Sequence, residues 1–286
     1  MNTKVRGRKD LENLSIPFIG EIPQYLSAKK KLGFDKHTQS VMKAIVVKEG
    51  NRNIINEAFR VLRSNIDFMA GKDSGQNVFM LTSFNPGSGK SFLAMNIAMS
   101  FAIKKKRILV IDGDLRHGST SSYVDSPKTG LSDYLGNRVS DWKEIIVKDE
   151  KYDNLHIIPI GTVPPNPTEL LEDGKLATLI EVLRSEYDYI FIDCPPIDIV
   201  ADAQIIEKLA DRTVFVVRSG LLDRSMLPEL ENIYQEKRFK NLSVILNGTE
   251  SAGGRYGYRY GYRNGYSSYY GNKGKMGGVN GWSSSD

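Results

Sequence analysis

Residues 83–91 read Ser-Phe-Asn-Pro-Gly-Ser-Gly-Lys-Ser and stand between two apolar segments. The segment before them predicts a buried strand over 78–82, and the segment after them predicts a helix over 90–104. A Gly-rich turn between a strand and a helix aims backbone N–H groups and the positive end of the helix dipole at one point. The stretch therefore predicts a cradle for the phosphates of a nucleoside triphosphate.

Each part of this loop has an expected role. Gly87 and Gly89 permit the tight turn because they lack Cβ. The ammonium of Lys90 is expected to reach the β- and γ-phosphates, and the Ser91 hydroxyl is expected to bind Mg²⁺. One position departs from the usual pattern, which has a glycine six residues before the lysine, where Phe84 stands. The predicted nucleotide-binding residues are Pro86, Gly87, Ser88, Gly89, Lys90, Ser91, Phe92 and Asn247.

Apolar runs and helical patterns alternate along the chain. The predicted strands lie near 78–82, 108–112, 155–159, 189–193, 213–217 and 243–247. The predicted helices lie near 53–70, 90–104, 168–185, 202–210 and 225–238. Most of the strands are continuously apolar, as expected when both faces of a sheet are covered. We therefore expect an α/β fold with a doubly wound, mostly parallel sheet, whose ligands bind at the carboxyl ends of the strands.

Polar side chains end several of these strands. Asp112 and Asp114 follow one apolar run, and Asp193 ends another. A single aspartate there would be explained by solvation or helix capping, but three of them beside a phosphate loop favour Mg²⁺ binding and proton transfer. Asn247 ends the last strand and precedes Gly248, so its amide either reads an adenine edge or forms a turn. The sequence leaves both roles open.

The net charge of +5 is unevenly distributed. Residues 1–50 contain ten Lys or Arg against five Asp or Glu, and residues 252–286 contain five against one. The interval 51–251 therefore carries a net charge of −4, which argues against a nucleic-acid-binding face on the folded part. We expect a juxtamembrane linker over 1–50, suited to a membrane surface and carrying one ordered-looking patch at 16–23, followed by a P-loop domain over 51–251.

The last region, 252–286, is rich in Gly and Tyr and has almost no aliphatic side chain. Such a segment cannot bury a core, so the composition predicts a disordered tail. Half of the fourteen tyrosines lie there. They are Tyr256, Tyr258, Tyr260, Tyr262, Tyr266, Tyr269 and Tyr270.

Several classes of protein are excluded by composition. The single cysteine, Cys194, allows neither an internal disulfide framework nor a cysteine-based metal cluster. The three histidines are scattered without metal-binding spacing. No stretch approaches the roughly 20 apolar residues of a membrane span, so no transmembrane segment is expected. No apolar stretch follows the first six residues, so no signal peptide is expected either.

Together these motifs resemble the bacterial tyrosine kinases of the deviant-Walker ATPase group. Lys90 and Ser91 match the family's first motif, the Asp112/Asp114 pair matches its Asp-x-Asp motif, and Asp193 matches its third. Residues 161–171 and 14–23 resemble two further family segments, and the Tyr-rich tail resembles its cluster of autophosphorylation sites. A Glu-x-x-Arg-x-x-Arg helix completes the match, with Glu57, Arg60 and Arg63.

The resemblance implies ATP as donor, Mg²⁺ as cofactor and tail tyrosines as acceptors. It also implies a homo-oligomeric ring, an octamer, in which the Glu57, Arg60 and Arg63 motif contacts the neighbouring subunit. Taken alone, these three residues favour a solvated helix face. The family's partners are a membrane-spanning co-polymerase and a cognate tyrosine phosphatase. Its place is the cytoplasmic face of the bacterial inner membrane, where it regulates capsule or exopolysaccharide synthesis and export.

Absent motifs narrow the assignment. The deviant-Walker ATPases that partition chromosomes or place the division site carry a second lysine early in the loop, where residues 83–85 have none. The iron–sulfur scaffold relatives need a Cys-x-x-Cys pair, which is missing. The His-Arg-Asp and Asp-Phe-Gly motifs of eukaryotic kinases are missing as well.

The expected mechanism is in-line transfer of the γ-phosphoryl group to a tyrosine hydroxyl of a neighbouring subunit. Asp112 is expected nearest the acceptor hydroxyl, with Ser91, Asp114 and Asp193 on the metal side and Lys90 on the phosphates. Two alternatives stay open. One is an ATPase switch that uses water as acceptor, and the other is a tail that binds RNA through Arg and Tyr, against which the acidic core argues.

Overall fold

The computed structural model describes residues 3–25, 44–71, 75–197 and 201–250. Within these residues the chain forms eight strands and seven α-helices. The strands are β1 Phe18–Pro23, β2 Val78–Thr82, β3 Ile108–Asp112, β4 Val147–Lys148, β5 Leu155–Ile158, β6 Tyr189–Asp193, β7 Arg212–Arg218 and β8 Ser243–Thr249. The helices are α1 Ile54–Ala70, α2 Lys90–Ala102, α3 Leu131–Leu135, α4 Pro167–Glu172, α5 Lys175–Glu186, α6 Asp202–Glu207 and α7 Leu227–Gln235.

All eight strands join one sheet in the order β1-β8-β7-β2-β6-β3-β5-β4. Every described pairing is parallel except that of the two-residue strand β4 with β5. The predicted α/β architecture with a mostly parallel sheet is therefore confirmed. Because the central strands are parallel, their carboxyl ends meet at one edge of the sheet, where the predicted site residues lie.

The core has two layers, one on each face of the sheet. Alternate residues of β2 divide between them: Val78 and Met80 pack on one face, and Phe79 and Leu81 pack on the other. This division follows from the two-residue period of a strand. The first face is covered by α5, α6 and α7, and the second by α1 and α2. Covering both faces explains why the strands are continuously apolar.

Helix α3 and strand β4 have no counterpart among the predicted elements, and two further regions differ from the expectations. Residues 18–23, inside the predicted linker, form an edge strand that pairs in parallel with β8. Leu62 of α1 packs close against this strand, where a Cβ on Gly20 would lie 3.1 Å from the Leu62 side chain. The helix predicted over 168–185 is divided into α4 and α5 by Gly174, whose φ of 79° is left-handed. A continuous helix cannot pass through that conformation.

Phe84 anchors the loop between β2 and α2. Its ring is 4% exposed and packs edge-to-face on Phe215 of β7, with ring centroids 4.9 Å apart. The residue that departs from the expected loop pattern is thus part of the core. The described part of the chain has no helix whose length and apolar character would let it cross a membrane.

Replacing Phe84 by Ala should lower the free energy of unfolding by about 3–5 kcal/mol, the usual cost of deleting a buried Phe side chain. Val182 is an exposed apolar residue on α5 and gives the control. Its replacement by Ala should change stability by less than about 0.5 kcal/mol. Urea unfolding of the two variants measures both values. Equal destabilisation by the two substitutions would contradict the anchoring role.

Candidate nucleotide and metal site

The loop between β2 and α2 is held open by two left-handed glycines. Gly87 has φ 74° and Gly89 has φ 90°, a region that side-chain-bearing residues rarely adopt. The hydroxyls of Ser83 and Ser88 each donate a hydrogen bond of 2.8 Å to the carbonyl oxygen of Asn85. Helix α2 then begins directly at Lys90, so its free N–H groups lie at the loop. The loop thus has the backbone geometry that a phosphate cradle requires.

Lys90 lies inside this loop. Its side chain is buried, and Nζ donates a hydrogen bond of 3.2 Å to Oγ of Ser83. Burial lowers the pKa of Lys90, while the negative charges of Asp193 and Asp114 raise it. The ammonium thus lies between the serine hydroxyl and a group of carboxylates. An anionic phosphate placed beside it would favour the charged form.

Asp112 and Asp193 are register partners at the ends of the neighbouring parallel strands β3 and β6. Oδ2 of Asp112 accepts hydrogen bonds from the Ser121 amide at 2.6 Å and the Ser121 hydroxyl at 2.7 Å. Oδ2 of Asp193 accepts from the hydroxyls of Ser91 at 2.5 Å and Thr120 at 2.8 Å. Within the described residues, Oδ1 of each carboxylate has no hydrogen-bond partner.

These two buried carboxylates suit a divalent cation. Burial, and then the charge of Asp193, raises the pKa of Asp112 to about 8. Burial also raises the pKa of Asp193, against the lowering effect of Lys90. A cation beside them would stabilise their charged forms. Carboxylate and hydroxyl oxygens are the ligands that Mg²⁺ prefers, so Asp193 and Ser91 fit this ion, and Oδ1 of Asp112 is left without a partner among the described residues.

Among the described residues, no group of three or more His, Cys, Asp or Glu side chains forms a protein-only metal cage. Mg²⁺ is usually held by one or two carboxylates together with substrate phosphates and water. Asp114 is buried beside the group and acts on Lys90 by its charge. Its oxygens also accept from the amide and the ring Nδ1 of His117, at 3.2–3.3 Å.

The predicted residues at the rim of the loop take more specific positions. Nδ2 of Asn247 donates a hydrogen bond of 2.9 Å to the carbonyl oxygen of Ser88, which ties β8 to the loop. The residue continues strand β8 instead of ending it. The ring of Phe92 is buried and packs edge-to-face on Phe59 of α1, with centroids 6.0 Å apart. Phe92 would therefore contact a nucleotide through its backbone N–H group.

Several residues of this site carry no recognisable sequence motif. Thr120 and Ser121 supply the hydroxyls on the two aspartates, and only the serine- and threonine-rich run 119–122 could have indicated them. Nε of Arg116 donates to the fully buried Asp202 at 3.2 Å. Thr168 accepts from Arg116 at 3.1 Å and donates to Asp202 at 2.7 Å. This trio joins the segment after β3 to helices α4 and α6.

The three residues of the Glu-x-x-Arg-x-x-Arg motif lie on α1, where they form an ion pair and hydrogen bonds within this chain. Arg60 forms an ion pair with Glu57 and donates to the carbonyl oxygen of Asn51. Nη1 of Arg63 donates to the carbonyl oxygen of Ser100 on α2 at 2.8 Å. The solvated-face interpretation thus accounts for the Glu57–Arg60 pair. The seven tail tyrosines lie outside the described residues.

Comparisons with known proteins agree on one family. The AAA domain family matches residues 76–238. Tyrosine-protein kinase YwqD of Bacillus subtilis is 34% identical over 210 residues, covering 72% of this chain and 87% of that protein. Tyrosine-protein kinase CpsD of Streptococcus agalactiae is 34% identical over 203 residues, covering 70% and 85%. A Klebsiella pneumoniae relative, named for the cps region, is 34% identical over 85% of this chain, which spans 33% of its length.

Solved structures give the same result. The kinase domain of Escherichia coli tyrosine kinase ETK has a TM-score of 0.74 and 28% identity, covering 90% of this chain and all of that domain. The chimerical protein CapA2B2 has a TM-score of 0.73 and 30% identity, covering 86% of this chain and all of that chain.

Replacing Gly89 by Ala should abolish detectable binding of Mg-ATP, because a Cβ at this position would collide with the amide of Asn247 and deform the loop. Gly174 gives a matched control, since it also stands in the left-handed region just before a helix but has open space around it. Its replacement by Ala should cost about 1–2 kcal/mol of stability and leave ATP affinity unchanged. Isothermal titration calorimetry decides this. Wild-type affinity in the Gly89→Ala protein would show that the loop is not the binding site.

Proposed function

The chain belongs to the bacterial tyrosine kinases, and we propose that this protein-tyrosine kinase phosphorylates the tyrosines of its own C-terminal segment, between the subunits of a homo-oligomeric ring. The observation that carries the proposal is the pairing of Asp112 with Asp193 beside Lys90 and Ser91. It brings a metal-binding carboxylate, a candidate proton acceptor and a phosphate loop together. The relatives named tyrosine-protein kinases support tyrosine as the acceptor.

ATP binds through its phosphates in this proposal. The amides of residues 87–91 and the ammonium of Lys90 hold the β- and γ-phosphates. The Ser91 hydroxyl, with Asp193 and Asp114, holds Mg²⁺, which when bound neutralises charge on the phosphates. The hydrogen bond between Ser91 and Asp193 already aligns two of these ligands.

Transfer then needs an acceptor oxygen in line with the γ-phosphorus. The tyrosine hydroxyl gives its proton to Oδ1 of Asp112, the oxygen without a partner among the described residues. A bond forms between the tyrosine oxygen and the γ-phosphorus, the bond to the β,γ-bridging oxygen breaks, and ADP leaves. Burial raises the pKa of Asp112, so once ionised this carboxylate is a better proton acceptor than an exposed one.

A second copy of the chain is the proposed source of each acceptor. The helix that carries the Glu-x-x-Arg-x-x-Arg motif also exposes three large apolar side chains, spaced seven residues apart: Ile54, Val61 and Phe68. Residues at this spacing lie on one face of a helix. Exposed apolar surface of this kind supports a subunit contact along α1.

The proposed biological setting follows from the relatives. The names CpsD and cps region support a role in capsule or exopolysaccharide synthesis and export. We place the kinase at the cytoplasmic face of the inner membrane, with a membrane-spanning co-polymerase partner and a cognate tyrosine phosphatase. The resemblance of residues 14–23 to the family segment that joins the kinase to its membrane part supports this placement.

Replacing Lys90 by Met should reduce phosphotyrosine on the purified full-length protein by at least about a hundredfold, because it removes the cation that stabilises the transferred charge. Mass spectrometry after incubation with Mg-ATP measures the modification. Lys148→Met, at an exposed lysine of β4, is the matched control and should retain wild-type phosphorylation. An undiminished signal in the Lys90 variant would refute the assignment.

Transfer between subunits can be isolated by mixing two variants. Wild-type enzyme lacking residues 252–286 has the site but no tail, and full-length Lys90→Met has the tail but no working site. Incubated together with Mg-ATP, they should produce phosphate on the tail of the Lys90 variant. Phosphorylation that requires site and tail on one chain would contradict transfer in trans. ATP hydrolysis with no phosphotyrosine in any wild-type preparation would favour the ATPase switch.

A further inference from the structure

Arg218 ends β7 next to the phosphate loop and has not been assigned a role by any motif. Its side chain is half-buried, and within the described residues its guanidinium has no hydrogen bond or ion pair. Burial alone lowers the pKa of Arg218, with no acidic group acting against it. An arginine stays protonated even so. A half-buried cation without a protein partner is costly, and its position suggests that the partner is a ligand.

Two glycines clear a space for this guanidinium. A Cβ on Gly248 would lie 3.3 Å from Cζ of Arg218, so the guanidinium lies against the bare backbone of that residue. A Cβ on Gly89 would lie 3.4 Å from Nη1 of the same side chain. Both glycines have positive φ, at 76° and 90°. The guanidinium thus lies in a slot between β8 and the phosphate loop, with Gly248 against one face and Gly89 beside Nη1.

The order of the strands shows which end of a nucleotide reaches this slot. The metal-binding carboxylates end β6 and β3, on one side of the loop that follows β2. Arg218 and Asn247 lie on β7 and β8, on the other side. With the γ-phosphate and Mg²⁺ toward β6 and β3, the rest of the nucleotide extends toward β7 and β8. The slot therefore lies at the base end.

We propose that Arg218 binds the adenine base, with its guanidinium plane stacked on the purine ring. Arginine stacks on aromatic rings through its planar, delocalised and weakly hydrated cation, which lysine cannot reproduce. This inference rests on the proposed nucleotide site but not on transfer to tyrosine. It makes Arg218 a determinant of affinity for the base, separate from the groups that hold the phosphates.

The test compares a ligand that has a base with one that has none. Isothermal titration calorimetry on the full-length protein measures the affinity for Mg-ATP and for Mg-tripolyphosphate. Arg218→Ala should weaken ATP binding about tenfold, the size expected for loss of one stacked base. It should change tripolyphosphate binding less than twofold. Arg212→Ala removes the arginine from the other end of the same strand and should leave both affinities unchanged.

Other outcomes overturn the proposal. Equal loss of affinity for ATP and tripolyphosphate would mean that Arg218 contacts phosphate or only supports the loop. Unchanged ATP affinity would place it outside the site. Arg218→Lys keeps the charge and most of the side-chain length, so it serves as a second variant in case Arg218→Ala does not fold. Thermal unfolding of both variants measures whether they are folded. Arg218→Lys should bind ATP as weakly as Arg218→Ala does. Full recovery of ATP affinity in the Lys variant would show that only the positive charge matters, and would overturn the stacking proposal. The readout here is the affinity for ATP. A negative result would therefore leave the proposed transfer to tyrosine standing, because that transfer is tested separately by phosphotyrosine.

Discussion

The parallel register that sets Asp112 opposite Asp193 is the constraint on which the rest of the site depends. Two buried carboxylates on neighbouring strands repel each other and lose their hydration. The surrounding residues reduce this cost: hydroxyls from Ser91, Thr120 and Ser121 take one oxygen of each, and Lys90 adds a positive charge. Oδ1 of each carboxylate has no partner among the described residues. In the proposed function, Asp193 of this pair would bind Mg²⁺ and Asp112 would accept the proton.

The phosphate loop is fixed from the opposite side by apolar and amide contacts. Phe84 packs on Phe215 of β7, and Asn247 of β8 donates to the carbonyl of Ser88. A loop held at both ends presents its N–H groups without further ordering when phosphates bind, so less binding free energy is lost to conformational entropy. Gly89 is needed here for its contacts as well as its conformation, because any side chain would meet Asn247.

The sequence predicts best those features of the fold and the site whose pattern lies within one short segment of the chain. The strand ends with Asp112 and Asp193 and the loop with Lys90 combine a motif with an apolar run, so the sheet and the centre of the site follow from them. The patch 16–23 looks ordered in the sequence, but Pro17, Gly20 and Pro23 interrupt a strand pattern there. The pairing of β1 with β8 is decided by a neighbour more than 200 residues away. The sequence does not indicate a role for Arg218 for a related reason. The two glycines that leave room for its guanidinium, Gly89 and Gly248, lie on other segments of the chain.

Helix α1 carries the proposed subunit contact on one face and packs against the phosphate-binding helix α2 with the other. Its inward face holds Phe59 against Phe92, in the first turn of the helix that begins at Lys90. Its outward face exposes Ile54 and Phe68. Arg63, on the same helix, donates to the carbonyl of Ser100 on α2. A neighbouring subunit bound to the outward face would therefore touch an element that packs directly behind the phosphate-binding helix. Because interiors are densely packed, a shift of α1 in such a contact would reach α2 through the Phe59–Phe92 pair.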